Sequence, residues 1–184
     1  MQRCTRRQFT TLAASLGVAA VSARSAFATI ATALPGEQRL QLLNVHTGEE
    51  CHFCFARDGS YDTAGLRGLA HFLRDFRTGE EHEIDPRLYE LLHSLAVACE
   101  REPRFEVISG YRSAATNAML GARSTGVAKQ SLHMSGQAID IRLKDASIEK
   151  VRDIALGFQL GGVGYYRRSN FVHLDTGRVR SWAG

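Results

Sequence analysis

An α+β domain is the fold class that this 184-residue sequence predicts, and three observations predict it. Several short runs alternate apolar and polar residues at period two, the pattern of half-buried strands. Four other segments repeat their apolar residues every three and four positions, as on the buried face of a helix. The helical segments also cluster ahead of strand runs instead of alternating with them one for one, which favours a central antiparallel sheet with flanking helices.

The elements follow in order. Thr5-Arg-Arg-Gln-Phe9 precedes an apolar stretch from Leu12 to Val21, and Ala26-Phe27-Ala28 offers small residues for cleavage. Residues 1–28 therefore read as a removable export signal of the twin-arginine type. Ser15, Gly17, Ser22 and Arg24 keep the apolar run well short of the ~20 residues that cross a bilayer. Residues 29–38, with Pro35-Gly36, read as a linker. Residues 39–184 read as one domain with one core. Within it, Arg39–Val45 and Glu50–Ala56 form a hairpin through Thr47-Gly48. Asp62 caps a helix carrying Leu66, Leu69, Phe72, Leu73 and Phe76, and Asp85-Pro86 starts another with Leu88, Leu91, Leu92, Leu95 and Cys99. Phe105–Ile108 is a strand, Ser113 caps a helix through Met119 to Arg123, and Ser147–Phe158 is a further amphipathic helix. Gly161-Gly-Val-Gly164 reads as a turn or bulged strand ahead of the last strand, which carries Val172 and Leu174.

Charge and cysteines exclude several functions. The formal charge of the whole chain is +4, and Arg3, Arg6, Arg7 and Arg24 account for all of it, since residues 1–28 hold no acidic residue. The basic balance therefore leaves with the signal and gives no support for a nucleic-acid partner. No membrane-spanning helix is expected in the mature chain. Cys51, Cys54 and Cys99 remain after Cys4 is removed, an odd number. Cys51-His-Phe-Cys54 lies on a strand-like run whose two thiols point to opposite faces, and bridged cysteines need Cβ atoms about 4 Å apart. A disulfide or a second metal site there is not expected.

The chemistry concentrates in His133-Met-Ser-Gly136-Gln-Ala138-Ile-Asp140 and in Phe171-Val-His-Leu-Asp175. Two imidazoles and one carboxylate suit zinc, and three protein ligands leave a tetrahedral ion one position for water, the mark of a catalytic site. Gly136 stands between His133 and Asp140, so a turn separates them rather than one step along a helix. Ala138, Asp140 and Arg142 then share one strand face, and Ile139, Ile141 and Leu143 the other. Phe171, His173 and Asp175 oppose Val172 and Leu174 in the same way. If the two strands are neighbours, Asp140 and His173 line one groove. Asp175 lies about 6.6 Å beyond His173 on that face, placed as a general base, a support for the His173 ring or a fourth ligand. The same donors would suit an iron(II) facial triad, a reading that export argues against. His46, His52, His71, His82 and His93 read as ordinary surface or core imidazoles.

H-x-x-G-x-A-x-D followed by a distal strand histidine resembles the signature of a zinc metallopeptidase superfamily. Its members include D-alanyl-D-alanine carboxypeptidases, bacteriophage L-alanyl-D-glutamate endolysins and the hedgehog signalling domain. Ser109-Gly-Tyr-Arg-Ser113, Gly126-Val-Ala-Lys129, Gly161-Gly-Val-Gly-Tyr-Tyr166 and Ser169-Asn-Phe-Val-His-Leu-Asp-Thr-Gly177 narrow the resemblance to the murein endopeptidase K subgroup. It runs from about Leu40 to the C-terminus. The resemblance implies a hedgehog-like fold and one Zn2+ held by His133, Asp140 and His173. It further implies a periplasmic monomer that hydrolyses amide cross-links between peptidoglycan stem peptides, including those between two diaminopimelate residues. By the same resemblance Tyr111 and Arg112 border the substrate cleft. Arginine's planar fork suits a peptide carboxylate, and a structural ion pair is the other reading of Arg112. Ser131 and Gln137 flank the metal motif as donors to substrate or as makers of local turn bonds. Tyr165 and Tyr166 beside the glycines read as packing or as a cleft wall. Many relatives carry Glu or His three or two positions before the last metal-binding His; here Asn170 and Phe171 stand there, and neither accepts a proton. Asp175 is therefore the expected catalytic base. The alternative is a non-catalytic cell-wall binding module with a structural zinc site, which the missing upstream base permits.

Overall fold

The computed structural model describes residues 36–123 and 128–184. The export signal, most of the linker and Gly126-Val127 lie outside the described residues. The expected hairpin pairs β1 (Glu37–Asn44) with β2 (Glu50–Arg57), and β1 begins two residues earlier than its apolar pattern shows. Asn44 shapes its turn, with Oδ1 accepting from the backbone N–H of His46 and Thr47. A two-residue strand, β3 (Ser60–Tyr61), extends the sheet beyond β2.

Four α-helices follow, each started by a side chain that accepts an otherwise orphaned N–H. Asp62 caps α1 (Thr63–Phe72) through Gly65 N, and Asp85 caps α2 (Pro86–Ala98) through Arg87 N. Ser113 Oγ accepts from Thr116 N at the start of α3 (Ala114–Arg123), and Ser147 caps α4 (Ile148–Phe158) through Lys150 N.

The remaining strands are β4 (Arg104–Ser109), β5 (Ala138–Leu143), β6 (Gly162–Tyr166), β7 (Phe171–Asp175) and β8 (Arg180–Ala183). Together they make one sheet in the order β3-β2-β1-β4-β5-β7-β6-β8. The sheet is mixed: β1 pairs β4 and β6 pairs β8 in parallel, and the other described pairings are antiparallel. The β1–β4 pair is parallel because the chain returns through α1 and α2, the long crossover that parallel strands need. Gly161–Gly164 leads into and forms part of β6, and β3 and β8 are two strands more than the sequence reading expected. Four residues with a single apolar ring, Trp182, give too short a run for a period-two signal.

Ile139, Ile141 and Leu143 of β5 and Val172 and Leu174 of β7 join Leu88, Leu92, Leu95 and Val151 in one buried core. Alternation along each strand turns Asp140 and His173 to the opposite face of the sheet. The helical layer thus fixes one face and leaves the other for a site. Among the described residues no helix is long and apolar enough to cross a membrane.

Candidate metal centre

One rung of the sheet carries the site. Asp140 on β5 stands opposite His173 on β7, His173 opposite Gly164 on β6, and Gly164 opposite Trp182 on β8. His133 comes from a single 3-10 turn, Leu132–Ser135, which ends at Gly136 in the left-handed region at φ 65°. That glycine is required twice over. Its backbone angle disfavours side chains, and a Cβ would come within 2.1 Å of the Glu83 carbonyl oxygen.

The two rings are held in defined tautomers. His133 Nδ1–H donates to Gly110 O at 2.8 Å, and His173 Nε2–H donates to Asp175 Oδ2 at 3.1 Å. Their other nitrogens face each other across 3.2 Å. Asp140 Oδ1 lies 2.8 Å from His173 Nδ1 and 3.4 Å from His133 Nε2. Two imidazole nitrogens and a carboxylate oxygen therefore converge, a donor set suited to a shared cation. Zinc bonds of about 2.0–2.1 Å set tetrahedral ligand atoms roughly 3.3 Å apart, so the triangle fits such an ion. These three residues are the one group of His, Cys, Asp or Glu side chains among the described residues placed to share a metal ion. Burial pushes the Asp140 carboxyl up, but His133 and His173 outweigh it and hold the group well below the usual carboxylate range. Burial depresses His173, yet Asp140 and Asp175 raise it to about 8.

Asp175 sits behind His173, on the Nε2 side, and is 0% exposed. Its Oδ1 accepts from Gly162 N, Gly177 N and Arg180 Nη1, and its Oδ2 from His173 Nε2 and Arg180 Nη2. Every lone pair is taken, and the carboxylate points away from the convergent atoms. The expectation that it supplies a base does not match this placement, because a general base must reach the proton it removes.

The glycines of β6 make that placement possible. A Cβ on Gly162 would lie 2.3 Å from Asp175 Oδ2 and 2.4 Å from Arg180 Nη1, and one on Gly164 would lie 2.7 Å from the Trp182 ring. Bare backbone at both positions lets Arg180 and Trp182 reach back over β6, one to Asp175 and the other to within 5.2 Å of the His173 ring centre.

The triad opens onto a cleft of about 560 Å³, walled by Arg112, Ser131, Tyr166, Phe171 and Trp182 among others. Arg112 is mostly buried, with only distant partners: Ser109 Oγ at 3.3 Å, Asn117 Oδ1 at 3.5 Å and Asp140 Oδ2 at 3.8 Å. Its Nε is buried and has no hydrogen-bond acceptor among the described residues. Ser131 lines the cleft and makes no capping bond. Gln137 does not line it; its Oε1 accepts from Ser135 Oγ at 2.9 Å, a local turn bond. Tyr111 also turns away, donating to Glu80 Oε1 at 2.5 Å and stacking on His82. The Ser109-Gly-Tyr-Arg segment meets the centre through its backbone, where Gly110 O accepts from His133 and Arg112 N donates to His133 O.

Three contributors escaped the sequence reading: the Gly110 carbonyl, Arg180 and Trp182. The last two had a faint signal, an Arg-x-Trp at period two following a glycine-rich strand. Cys51, Cys54 and Cys99 are free thiols, and burial pushes Cys51 up to about 12.

Comparison with known proteins bears on this centre. The family described as peptidoglycan L,D-endopeptidase MepK matches residues 32–182. The chain is 44% identical over 164 residues to the peptidoglycan L,D-endopeptidase MepK of Escherichia coli K12, covering 89% of each chain. It is 42% identical over 151 residues to the probable peptidoglycan L,D-endopeptidase MepK of Haemophilus influenzae, covering 82% of this chain and 81% of that one. A buried His-Asp-His group placed to share a metal ion and a match along nearly the whole domain agree: the chain belongs to the peptidoglycan L,D-endopeptidase MepK family of metallopeptidases.

Proposed function

We propose that this protein is a zinc endopeptidase that hydrolyses amide cross-links between peptidoglycan stem peptides, as a periplasmic monomer exported by the twin-arginine route. One observation carries the reading: His133 Nε2, His173 Nδ1 and Asp140 Oδ1 converge at the floor of an open cleft. The names of the relatives favour an enzyme over a binding module and support the substrate class.

His133, Asp140 and His173 would hold the ion. When bound, zinc supplies Lewis acidity that acidifies water and polarises a carbonyl. The chain's own groups do the rest. Gly110 O and Asp175 lock the two imidazoles in the tautomers that ligation needs. Asp175 acts as a positioning residue for His173, and Arg180 keeps its buried charge compensated. Arg112 binds a carboxylate of the stem peptide, because its guanidinium borders the cleft and its Nη groups have only distant partners. Ser131 adds a hydroxyl to the same wall.

The test is a muropeptide profile of purified murein before and after digestion, with metal content determined by elemental analysis. Cross-linked dimers should disappear, monomers should accumulate, and a chelator should stop the reaction until zinc is restored. An unchanged profile with zinc fully bound would support the binding-module alternative instead.

A further inference from the structure

We propose that Tyr166 is a catalytic residue whose phenolic O–H donates a hydrogen bond to the amide oxygen as it gains charge, with Trp182 as the positioning residue that aims it. The proposal rests on the peptidase reading above and deepens it.

Tyr166 ends β6 and stands in the cleft wall with His133, Asp140 and His173. Its ring has little freedom. It stacks on Phe171, its partner across the strand pair, at 4.5 Å between centroids and 15° between planes. Behind it, Gly184 packs so closely that a Cβ would lie 2.5 Å from the ring.

The hydroxyl is fixed as well. Trp182 Nε1 donates to Tyr166 Oη at 3.0 Å. An indole N–H can only donate, so this bond occupies an oxygen lone pair and leaves the phenolic hydrogen unspent. No acceptor for that hydrogen occurs among the described residues. Trp182 is itself clamped, with His173 at 5.2 Å and the Arg180 guanidinium 4.9 Å over its ring.

The electrostatic balance of the cleft points the same way. Arg112 and Tyr166 are donors with capacity left, whereas Asp140 is the one carboxylate among its described lining residues. Such a wall suits charge that develops on a substrate oxygen. In the step assigned here, water adds through its oxygen to the carbonyl carbon and the C=O π pair moves onto the amide oxygen, where the Tyr166 O–H meets it. As that pair returns, the C–N bond breaks, and the departing nitrogen takes a proton that came from the water. Tyr166 keeps its own proton throughout. A donor aimed in advance at a developing oxyanion is worth about 10²–10³-fold in turnover.

Tyr166→Phe removes one oxygen and keeps the ring on Phe171. On a cross-linked muropeptide dimer its kcat should fall about 10²-fold with KM within about twofold, since the bond forms only in the transition state. Zinc content and melting temperature should match wild type. Trp182→Phe should lose roughly tenfold, and the double variant should be no slower than Tyr166→Phe alone, because the indole acts only through the phenol. Calorimetry gives a second reading without turnover. A phosphinate isostere of the cross-link dipeptide should bind Tyr166→Phe about 10²-fold more weakly than wild type, while the amine product of the cleavage binds both equally. Wild-type kcat in Tyr166→Phe, a loss confined to KM, or unchanged phosphinate affinity overturns the assignment. A wild-type protein that neither cleaves the dimer nor prefers the phosphinate overturns the peptidase reading itself, and the proposal with it.

Discussion

The two imidazoles of the centre are anchored by different chemistry. His133 leans on a neutral backbone carbonyl, that of Gly110, whereas His173 leans on Asp175, a carboxylate braced by Arg180 and two backbone N–H groups. A carboxylate acceptor makes its imidazole the more basic ligand, but it places a charge in the interior that the fold must keep compensated. The difference explains how each half of the site is built. Around His133 the sequence specifies backbone shape, through Gly110 and Gly136; around His173 it specifies empty space for long side chains, through Gly162 and Gly164.

The largest effect should erase the comparison. His133→Ala and His173→Ala should each empty the site and bring hydrolysis to the limit of detection, whichever anchor the ring had, because metal binding needs all three ligands. Elemental analysis and muropeptide turnover measure both. Full zinc occupancy in either variant would remove that histidine from the ligand set.

Asp175→Asn should expose the asymmetry next. The charged anchor is lost while Arg180 remains, so zinc affinity should fall about 10–100-fold, the usual scale for an outer partner of a ligand. Turnover should recover to within about tenfold once zinc is saturating. A rate that stays about 10²-fold low at full occupancy would restore Asp175 as the base and contradict its placement.

Much of this was legible in the sequence. H-x-x-G-x-A-x-D encodes a turn and then a strand, and period two alone puts Asp140 and His173 on the face opposite the core. The anchors were harder to read. Tyr111 and Arg112 draw attention to side chains, yet the bond that orients His133 comes from the carbonyl of Gly110, which no residue type announces. The role of Gly162 and Gly164 was hidden because it depends on β8, a partner too short to show periodicity. Asp175 was visible on the correct face, but a face does not say which nitrogen of His173 it meets; the orientation of the ring between Asp140 and Asp175 does.

Arg112→Lys sharpens the comparison from the substrate side. Lysine keeps the charge but loses the planar fork, so turnover should fall about tenfold or more through poorer orientation, with zinc content unchanged. Wild-type kinetics would reduce Arg112 to its 3.8 Å pairing with Asp140.

The smallest effect concerns what holds the His133 half in shape. Asp75 Oδ2 accepts from Ser113 N at 2.9 Å and Ser113 Oγ at 2.7 Å, tying the segment that carries Gly110 and Arg112, at the start of α3, to the loop after α1. Burial pushes the Asp75 carboxyl up, but the hydrogen bonds from Thr116, Ser113 and Arg77 outweigh it and set it at about 2. A carboxyl lower in the folded than in the unfolded chain stabilises the fold above its unfolded value, near 3.8, and that contribution is lost as pH falls toward 2. Asp75→Asn should therefore lower the melting temperature by a few degrees at pH 5 to 7, and the gap from wild type should close between pH 4 and 2. Since Asp75 touches neither imidazole, zinc affinity should change little while Arg112-dependent turnover weakens. A gap that persists undiminished at pH 2 would mean that the Asp75 carboxylate charge does not fasten this half of the site.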